Sequence, residues 1–191
     1  MIRLAILASG SGSNAQKIIN HFKQSKEIEV HLVGSNKKDA YVLERAQKVN
    51  VKHFTFNKNK LNNGEVLHKL KEEKVDYIIL AGFLALIPKE LVKAFPMRII
   101  NIHPSLLPKF GGKGMYGMHV HEAVKKAGEV YSGLTVHLVN EEFDKGKVLF
   151  QATVKIQENE SAEDIASKVL NLEHRYFSQV IESYISSHNI N

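Results

Sequence analysis

The first hundred residues alternate between short apolar runs and helical segments, and this alternation constrains the fold more than any other feature of the sequence. Apolar runs over Ile2–Ala8, Glu29–Gly34 and Asp76–Ala81 have the length and composition of buried strands. Helix signals separate them, over Asn14–Lys26 and Ala40–Val49 for example. Strands that alternate with helices through short connections form a parallel sheet with crossover helices. We therefore expect an α/β fold with a Rossmann-like, mostly parallel sheet and flanking helices.

Weaker signals complete this half of the chain. They predict a short strand over Val51–Phe56 and a helix over Gly64–Glu73. A short helix is expected after Pro88, and a further strand over Arg98–Asn101.

The second half has a different pattern, which predicts a mixed C-terminal extension of the sheet. A helical segment over Val120–Ala127 precedes two alternating strands, Gly133–Asn140 and Gly146–Ile156, with a turn between them. Ser161 and Asp164 have the spacing of a capping box that opens a long terminal helix. The apolar stripe predicted for that helix runs at spacings of three and four residues through Ile165, Val169, Leu172, Tyr176 and Val180.

Composition sets bounds on the class of protein. A chain of 191 residues without cysteine is most naturally one domain, with neither disulfides nor thiolate chemistry. The apolar start, Ile2–Ala8, is too short for a signal peptide, and the longest apolar run, Tyr77–Ile87, is far below the ~20 residues of a membrane span. We expect a soluble, cytoplasmic protein with no membrane partner.

The formal net charge of +6 suggests an anionic ligand. The lysines are scattered and are not interleaved with aromatic residues, so the pattern does not favour nucleic acid. Small phosphorylated or carboxylated molecules suit the charge equally well, and the charge alone does not decide the partner.

The segment Ser9–Asn14 is a glycine-containing loop between the first strand and the first helix. Its glycines allow a tight turn, and the amides at the start of the helix then face an anion. A monophosphate is the ligand this loop favours. Gly10, Gly12 and Ala15 also fit the looser dinucleotide fingerprint. That fingerprint requires an acid at the end of the second strand, where residues 34–38 carry none before Asp39. A nicotinamide-dependent oxidoreductase therefore stays open as an alternative, as does a non-catalytic module that binds a phosphorylated ligand.

The stretch Asn101–Pro108 predicts an active site at the carboxyl end of a strand. Asn101 and His103 occupy alternate positions, so their side chains project to the same side. Pro104 then ends the strand pairing, and ligands of open α/β sheets bind at such strand ends. The alternative interpretation is that His103 only stabilises a turn through a hydrogen bond to the backbone.

Asp144 lies in the connection between the two late strands. A carboxylate close to His103 would favour the charged imidazole and raise its pKa, and Asn101 could donate its amide to a developing oxyanion. An amide, an imidazole and a carboxylate, with no covalent nucleophile, suit direct acyl transfer to an amine. An acidic solvated turn is the simpler interpretation of the Asp144 segment alone.

These motifs together resemble the folate-dependent formyltransferases. The resemblance rests on Asn101–Pro108, on Thr135-Val136-His137 and on Asp144-x-Gly146, and it runs from about Ile2 to the terminal helix. The Ser9–Asn14 loop narrows it to members that formylate glycinamide ribonucleotide in purine biosynthesis. The resemblance implies 10-formyltetrahydrofolate as co-substrate and no metal.

The same resemblance implies a role for each matching position. His103 would be the proton donor, Asn101 the oxyanion partner, and Asp144 the residue that holds His103 and raises its pKa. The residues implied for the ribonucleotide are Gly12, Ser13 and Asn14 at the phosphate, Gly82 beside the substrate, and Glu173 at the glycinamide. The residues implied for the folate are Leu84, Ala85, Leu86, Ile87, Asn101, Asn140, Glu141, Glu142, Phe143 and Asp144.

The resemblance also suggests how these roles divide the chain. One domain over residues 1–191 would have a phosphate-binding half up to about residue 97 and a folate-binding, catalytic half from about residue 98. The expected partners are small-molecule substrates, and the expected state is a monomer or weak homodimer. Other folate-dependent formyltransferases and formyltetrahydrofolate hydrolase remain alternatives, although they usually carry a further domain for which 191 residues leave no room.

Overall fold

The computed structural model describes residues 1–188, which form two compact units. The first unit spans Met1–Asn101, and the second begins at Ile102.

The first unit consists of strands that alternate with helices in chain order. Its strands are β1 (Ile2–Ala8), β2 (Ile28–Ser35), β3 (Lys52–Thr55), β4 (Tyr77–Leu80) and the first part of β5 (Ile99–His103). Its helices are α1 (Ser13–Phe22), α2 (Tyr41–Lys48), α3 (Lys58–Asn62), α4 (Glu65–Glu72) and α5 (Lys89–Ala94).

Strand β1 is the centre of this unit because it pairs in parallel with both β2 and β4. Strand β3 pairs in parallel with β2, and β5 pairs in parallel with β4. Leu4–Ala8 are buried throughout, as expected for a strand that is covered on both faces. The parallel arrangement brings the carboxyl ends of these strands to one edge of the sheet, where the loop after β1 lies.

The second unit combines an antiparallel strand pair with two helices. Its elements are α6 (Met118–Lys126), β6 (Tyr131–Leu138), β7 (Val148–Lys155) and α7 (Ala162–His188). Strands β6 and β7 pair antiparallel from Tyr131 opposite Lys155 to His137 opposite Val148. The connection between them carries Asp144.

The seven strands have the order β3-β2-β1-β4-β5-β6-β7 in a mostly parallel sheet with flanking helices. This arrangement confirms the predicted fold class. The short helix α3 was not predicted, because its five residues are too few to show a helical period. Strand β5 continues to His103, so this histidine is the last residue of the strand and does not lie beyond it.

The stripe predicted for α7 is wrong over its later part. Ile165 and Val169 are buried as predicted, but the buried positions beyond them include Glu173, Phe177 and Ile181, whereas the predicted Leu172, Tyr176 and Val180 are only half-buried. Residues four apart form a ridge inclined to the helix axis, whereas spacings that alternate between three and four follow the axis. Helix α7 therefore buries an inclined ridge, and Glu173 lies within it.

A capping box fixes the start of α7, as the sequence predicts. The Ser161 hydroxyl accepts a hydrogen bond from the Asp164 backbone N–H at 3.1 Å, and the Asp164 carboxylate accepts one from the Ser161 N–H at 2.9 Å. Two backbone donors at the start of the helix are thereby satisfied.

We predict that Ser161→Ala lowers the free energy of unfolding by about 1 kcal/mol, because the Asp164 N–H loses its acceptor. Ser167→Ala is the matched control, since Ser167 is an exposed residue of the same helix and alanine favours the helix slightly there. Urea denaturation of both variants measures the difference. Equal stability of the two variants would show that the capping box contributes nothing.

Candidate active site

The loop after β1 is held in place by Ser9, a buried residue at the carboxyl end of the strand. The Ser9 hydroxyl donates to Asn36 Oδ1 at 2.7 Å and accepts the Leu84 N–H at 3.1 Å. The Ser9 N–H donates to Gly82 O at 3.0 Å. One serine thus connects the ends of β1, β2 and β4.

The loop leads into α1 with the geometry of an anion-binding site. Gly12 is the N-cap of α1 and has a left-handed conformation, with φ of 71° and ψ of 29°. Gly12 makes no side-chain cap hydrogen bond, and the first turn of α1, which begins with Ser13 and Asn14, carries no acid. The N–H groups at the start of this helix and the positive end of its dipole therefore suit a phosphate.

Helix α2 packs against this loop and explains the glycine at position 12. A Cβ atom on Gly12 would lie 2.5 Å from Val42 Cγ2, and the positive φ is unfavourable for other residues. The Val42 N–H donates to Gly10 O at 3.2 Å. Gly10 itself faces open space.

The segment predicted for the folate pocket follows β4. Leu84 and Leu86 expose 43% and 45% of their surface, whereas Ile87 is buried and Ala85 is half-buried. Two exposed leucines, two residues apart in one segment, are available to pack on an apolar ligand. Asn101, on β5, is half-buried and lies opposite Leu80 of β4 in the strand register.

In the second unit, His103 and Asp144 are brought together although 41 positions separate them in the sequence. His103 Nδ1 lies 3.5 Å from Asp144 Oδ2, and His103 is only 4% exposed. His103 Nε2 lies 2.8 Å from Phe110 O; a carbonyl can only accept, so this nitrogen carries a hydrogen and donates it. Both ring nitrogens of His103 thus face acceptors.

His137 approaches the same carboxylate in the same way. Its Nδ1 donates to Leu138 O at 2.8 Å, and its Nε2 lies 3.5 Å from Asp144 Oδ1. The Gly112 N–H completes the surroundings of Asp144 by donating to Oδ2 at 2.9 Å. Two buried histidines and one backbone N–H therefore share a single carboxylate.

Burial and charge act in opposite directions on these groups. Burial lowers the pKa of His103, and it outweighs the nearby Asp144 carboxylate and the Phe110 carbonyl, which both raise it. For Asp144, burial alone would raise the pKa, but the hydrogen bond from His137 and the charge of His103 leave the pKa below its usual value. The expectation of a raised His103 pKa is therefore wrong for the net value. The effect of Asp144 has the predicted sign, but burial is the larger effect.

A buried hydrogen-bond network holds the segment that follows His103. The Thr135 hydroxyl donates to Ser105 O at 2.7 Å and accepts the Leu107 N–H at 3.0 Å. Gln151 Nε2 adds hydrogen bonds to Leu107 O and Thr135 Oγ1. These contacts fix the chain between the strand end and Phe110, whose carbonyl meets His103.

The remaining predicted residues lie on the connection between β6 and β7 and on α7. Asn140 Oδ1 accepts the Glu142 N–H at 3.0 Å, Glu141 and Glu142 are exposed, and Phe143 is half-buried. Glu173, on α7, is only 8% exposed. A carboxylate buried to that degree is unusual for a surface charge.

Sequence reasoning missed several residues that shape these sites. Asn36 and Arg45 contact the loop after β1, and the Phe110 carbonyl and Gly112 N–H contact His103 and Asp144. Backbone groups leave no signal in a sequence. His137 belongs to a recognised motif, but its contact with Asp144 depends on the fold.

Within residues 1–188, no group of three or more His, Cys, Asp or Glu side chains is arranged to hold a metal ion. In the same part of the chain, no helix is both long enough and apolar enough to cross a membrane.

A family model described as formyl transferase matches residues 2–181. The chain therefore belongs to the formyl transferase family, which confirms the resemblance seen in the motifs.

Individual relatives in this family have a more specific name. A chloroplastic phosphoribosylglycinamide formyltransferase of Arabidopsis thaliana is 44% identical, over 94% of this chain and 64% of the plant protein. The phosphoribosylglycinamide formyltransferase of Bacillus subtilis is 33% identical, over 99% of this chain and 97% of its own. The crystal structure of the protein of that name from Bacillus halodurans matches with a TM-score of 0.89 at 34% identity, over 98% of each chain. The chain thus spans less than two thirds of the plant relative and nearly all of the bacterial ones.

We predict that Gly12→Ala lowers the free energy of unfolding by about 1–3 kcal/mol, because the added Cβ meets Val42 at a positive φ. Gly10→Ala is the matched control and is expected to change stability by less than about 0.5 kcal/mol. Urea denaturation of both variants measures the difference. A Gly12→Ala protein as stable as Gly10→Ala would contradict the packing of α2 against the loop.

Proposed function

We propose that this protein transfers the formyl group of 10-formyltetrahydrofolate to the amine of glycinamide ribonucleotide, a step of de novo purine biosynthesis. Relatives named phosphoribosylglycinamide formyltransferase match it at 44% and 33% identity. The observation that carries the proposal is the pairing of the buried His103 with the half-buried Asp144 in a member of the formyl transferase family. It is an acid–base pair that needs neither a covalent nucleophile nor a metal.

The reaction requires one proton to move from the attacking amine to the leaving nitrogen. The amine attacks the formyl carbon, and a tetrahedral intermediate forms that bears a negative oxygen. The charged His103 delivers its Nε2 proton to N10 of the folate, whose bond to the formyl carbon then breaks, and it takes up the proton that the amine loses. We assign the negative oxygen to the Asn101 amide, since a positioned donor stabilises developing charge.

Asp144 and Phe110 set the proton affinity of His103 in this scheme. Asp144 faces Nδ1, so Nε2 is the nitrogen that exchanges a proton, as in other carboxylate–histidine pairs. Nε2 donates to the Phe110 carbonyl in this structure, and the substrate must take the place of that carbonyl. Loss of the carbonyl removes an interaction that raises the His103 pKa, so the charged histidine gives up its proton more readily.

The substrate-binding roles follow from the chemistry of each segment. We assign the ribosyl phosphate to the N–H groups of Gly12, Ser13 and Asn14, with Gly82 beside the ribonucleotide and Glu173 at the glycinamide. The pterin is assigned to two segments, Leu84–Ile87 and Asn140–Asp144. Exposed leucine side chains suit the ring faces, and backbone groups suit its polar edge.

We further propose a single functional domain that acts as a monomer or weak homodimer on small molecules. A cytoplasmic location stays a prediction, since one relative is named as chloroplastic.

We predict that His103→Ala lowers turnover by roughly 10²–10⁴-fold, because a general acid–base group contributes about that much. His68→Ala is the matched control, since His68 is an exposed histidine on α4. The assay supplies glycinamide ribonucleotide and 10-formyltetrahydrofolate and measures the formylated amide and tetrahydrofolate separately. Substrate dissociation constants, measured by calorimetry, should stay within about three-fold in both variants.

Three outcomes of the assay would count against the proposal. Normal turnover in His103→Ala would contradict the role of this histidine. Release of tetrahydrofolate without the formylated amide would favour a formyltetrahydrofolate hydrolase. Tight binding of a nicotinamide dinucleotide, together with no formyl transfer, would favour an oxidoreductase.

A further inference from the structure

One side chain of α2 contacts the backbone of the phosphate loop directly. Arg45 is half-buried, and its Nε donates a hydrogen bond to Ser11 O at 2.8 Å. Together with the bond from the Val42 N–H to Gly10 O, this contact ties two successive carbonyls of the loop to one helix.

These two hydrogen bonds determine the direction of two amide groups. In a trans peptide unit the N–H points away from the C=O, and the unit is rigid. The peptide whose carbonyl belongs to Gly10 carries the Ser11 N–H, and the one whose carbonyl belongs to Ser11 carries the Gly12 N–H. Because both carbonyls point to α2, both N–H groups point away from α2. Successive N–H groups that point the same way form an anion-binding concavity.

Tyr41 holds the guanidinium of Arg45 in position. The Arg45 Cζ atom lies 4.8 Å from the centroid of the Tyr41 ring, within the range of a cation–π contact. Lys48 contacts the same ring, with Nζ 5.2 Å from the centroid and 3.3 Å from the hydroxyl oxygen. Lys48 forms no hydrogen bond to the loop among the described residues. Arg45 and Lys48 therefore share a charge and a ring contact but differ in their contact with the loop.

We propose that Arg45 is a positioning residue for phosphate recognition: through Ser11 O it turns the Gly12 N–H toward the phosphate of the substrate. Its charge, fixed beside the loop by Tyr41, adds a favourable field for a dianion. The identity of the phosphate ester rests on the proposed function, but the action of Arg45 on an anion does not.

The test compares Arg45→Gln, Arg45→Lys and the matched control Lys48→Gln. Inorganic phosphate is the probe, and the amide signals of Ser11–Asn14 are followed by ¹⁵N NMR during its titration. We expect Arg45→Gln to raise the phosphate dissociation constant roughly ten-fold, the effect of one hydrogen bond and a nearby charge. Lys48→Gln should raise it less than about two-fold, since an exposed charge is screened.

The lysine variant separates charge from geometry. Arg45→Lys keeps the charge, but its ammonium lies one bond further along the side chain than Nε. It should recover part of the affinity while the Gly12 amide signal stays displaced from its wild-type position. In the enzyme assay, Arg45→Gln should raise the KM for the ribonucleotide and leave kcat and the KM for the folate within about two-fold.

The proposal would be overturned by equal weakening in Arg45→Gln and Lys48→Gln, by no displacement of the Ser11 and Gly12 amide signals in Arg45→Gln, or by no phosphate-induced shift of the loop in the wild-type protein. Thermal unfolding of each variant identifies any general loss of fold, and a folded Arg45→Gln with wild-type phosphate affinity would also overturn it. If phosphate binding depends on Arg45 but no formyl transfer occurs, the proposal stands and the proposed function fails.

Discussion

The polar interior of the second unit depends on one carboxylate, that of Asp144. Its two oxygens meet His103, His137 and the Gly112 N–H, so it connects the end of β5, the end of β6 and the loop after Phe110. Asp144 adopts a positive φ of 54°, a conformation that aspartate tolerates better than most residues. A buried carboxylate is costly unless it is paired, and here each approach to it is a donor or a titratable ring.

The two histidines around Asp144 have a common arrangement, in which one nitrogen donates to a backbone carbonyl and the other faces the carboxylate. For His103 this arrangement favours the charged ring, whereas burial favours the neutral one. Neither effect eliminates the other. A group that must both accept and give a proton within one reaction requires these two effects to oppose each other, because a proton held with very high affinity could not be transferred. His121 is also buried, and its pKa is lowered by burial and by the charge of His103.

Most of the fold could be predicted from the sequence, because its signals are local. The strand–helix alternation, the glycine loop and the capping box of Ser161 and Asp164 each act within a few residues. The buried ridge of α7 could not be predicted, because the crossing angle of a helix depends on its neighbours. Of the candidate site, the nearness of His103 to Asp144 was expected from the family resemblance. The contributions of Arg45, Phe110 O and the burial of His103 depend on contacts that only the folded chain creates.

Asp144 thus supports the charged form of His103 against the effect of burial. Titration of the histidine ring signals by NMR, in the wild-type protein and in Asp144→Asn, tests this claim most directly, with the exposed His68 as internal reference. We predict that the His103 pKa lies below its ordinary value in the wild-type protein, because burial disfavours the charged ring, and that it falls further in Asp144→Asn, because the attraction of the carboxylate is lost. A His103 pKa that stays the same or rises in Asp144→Asn would contradict the claim.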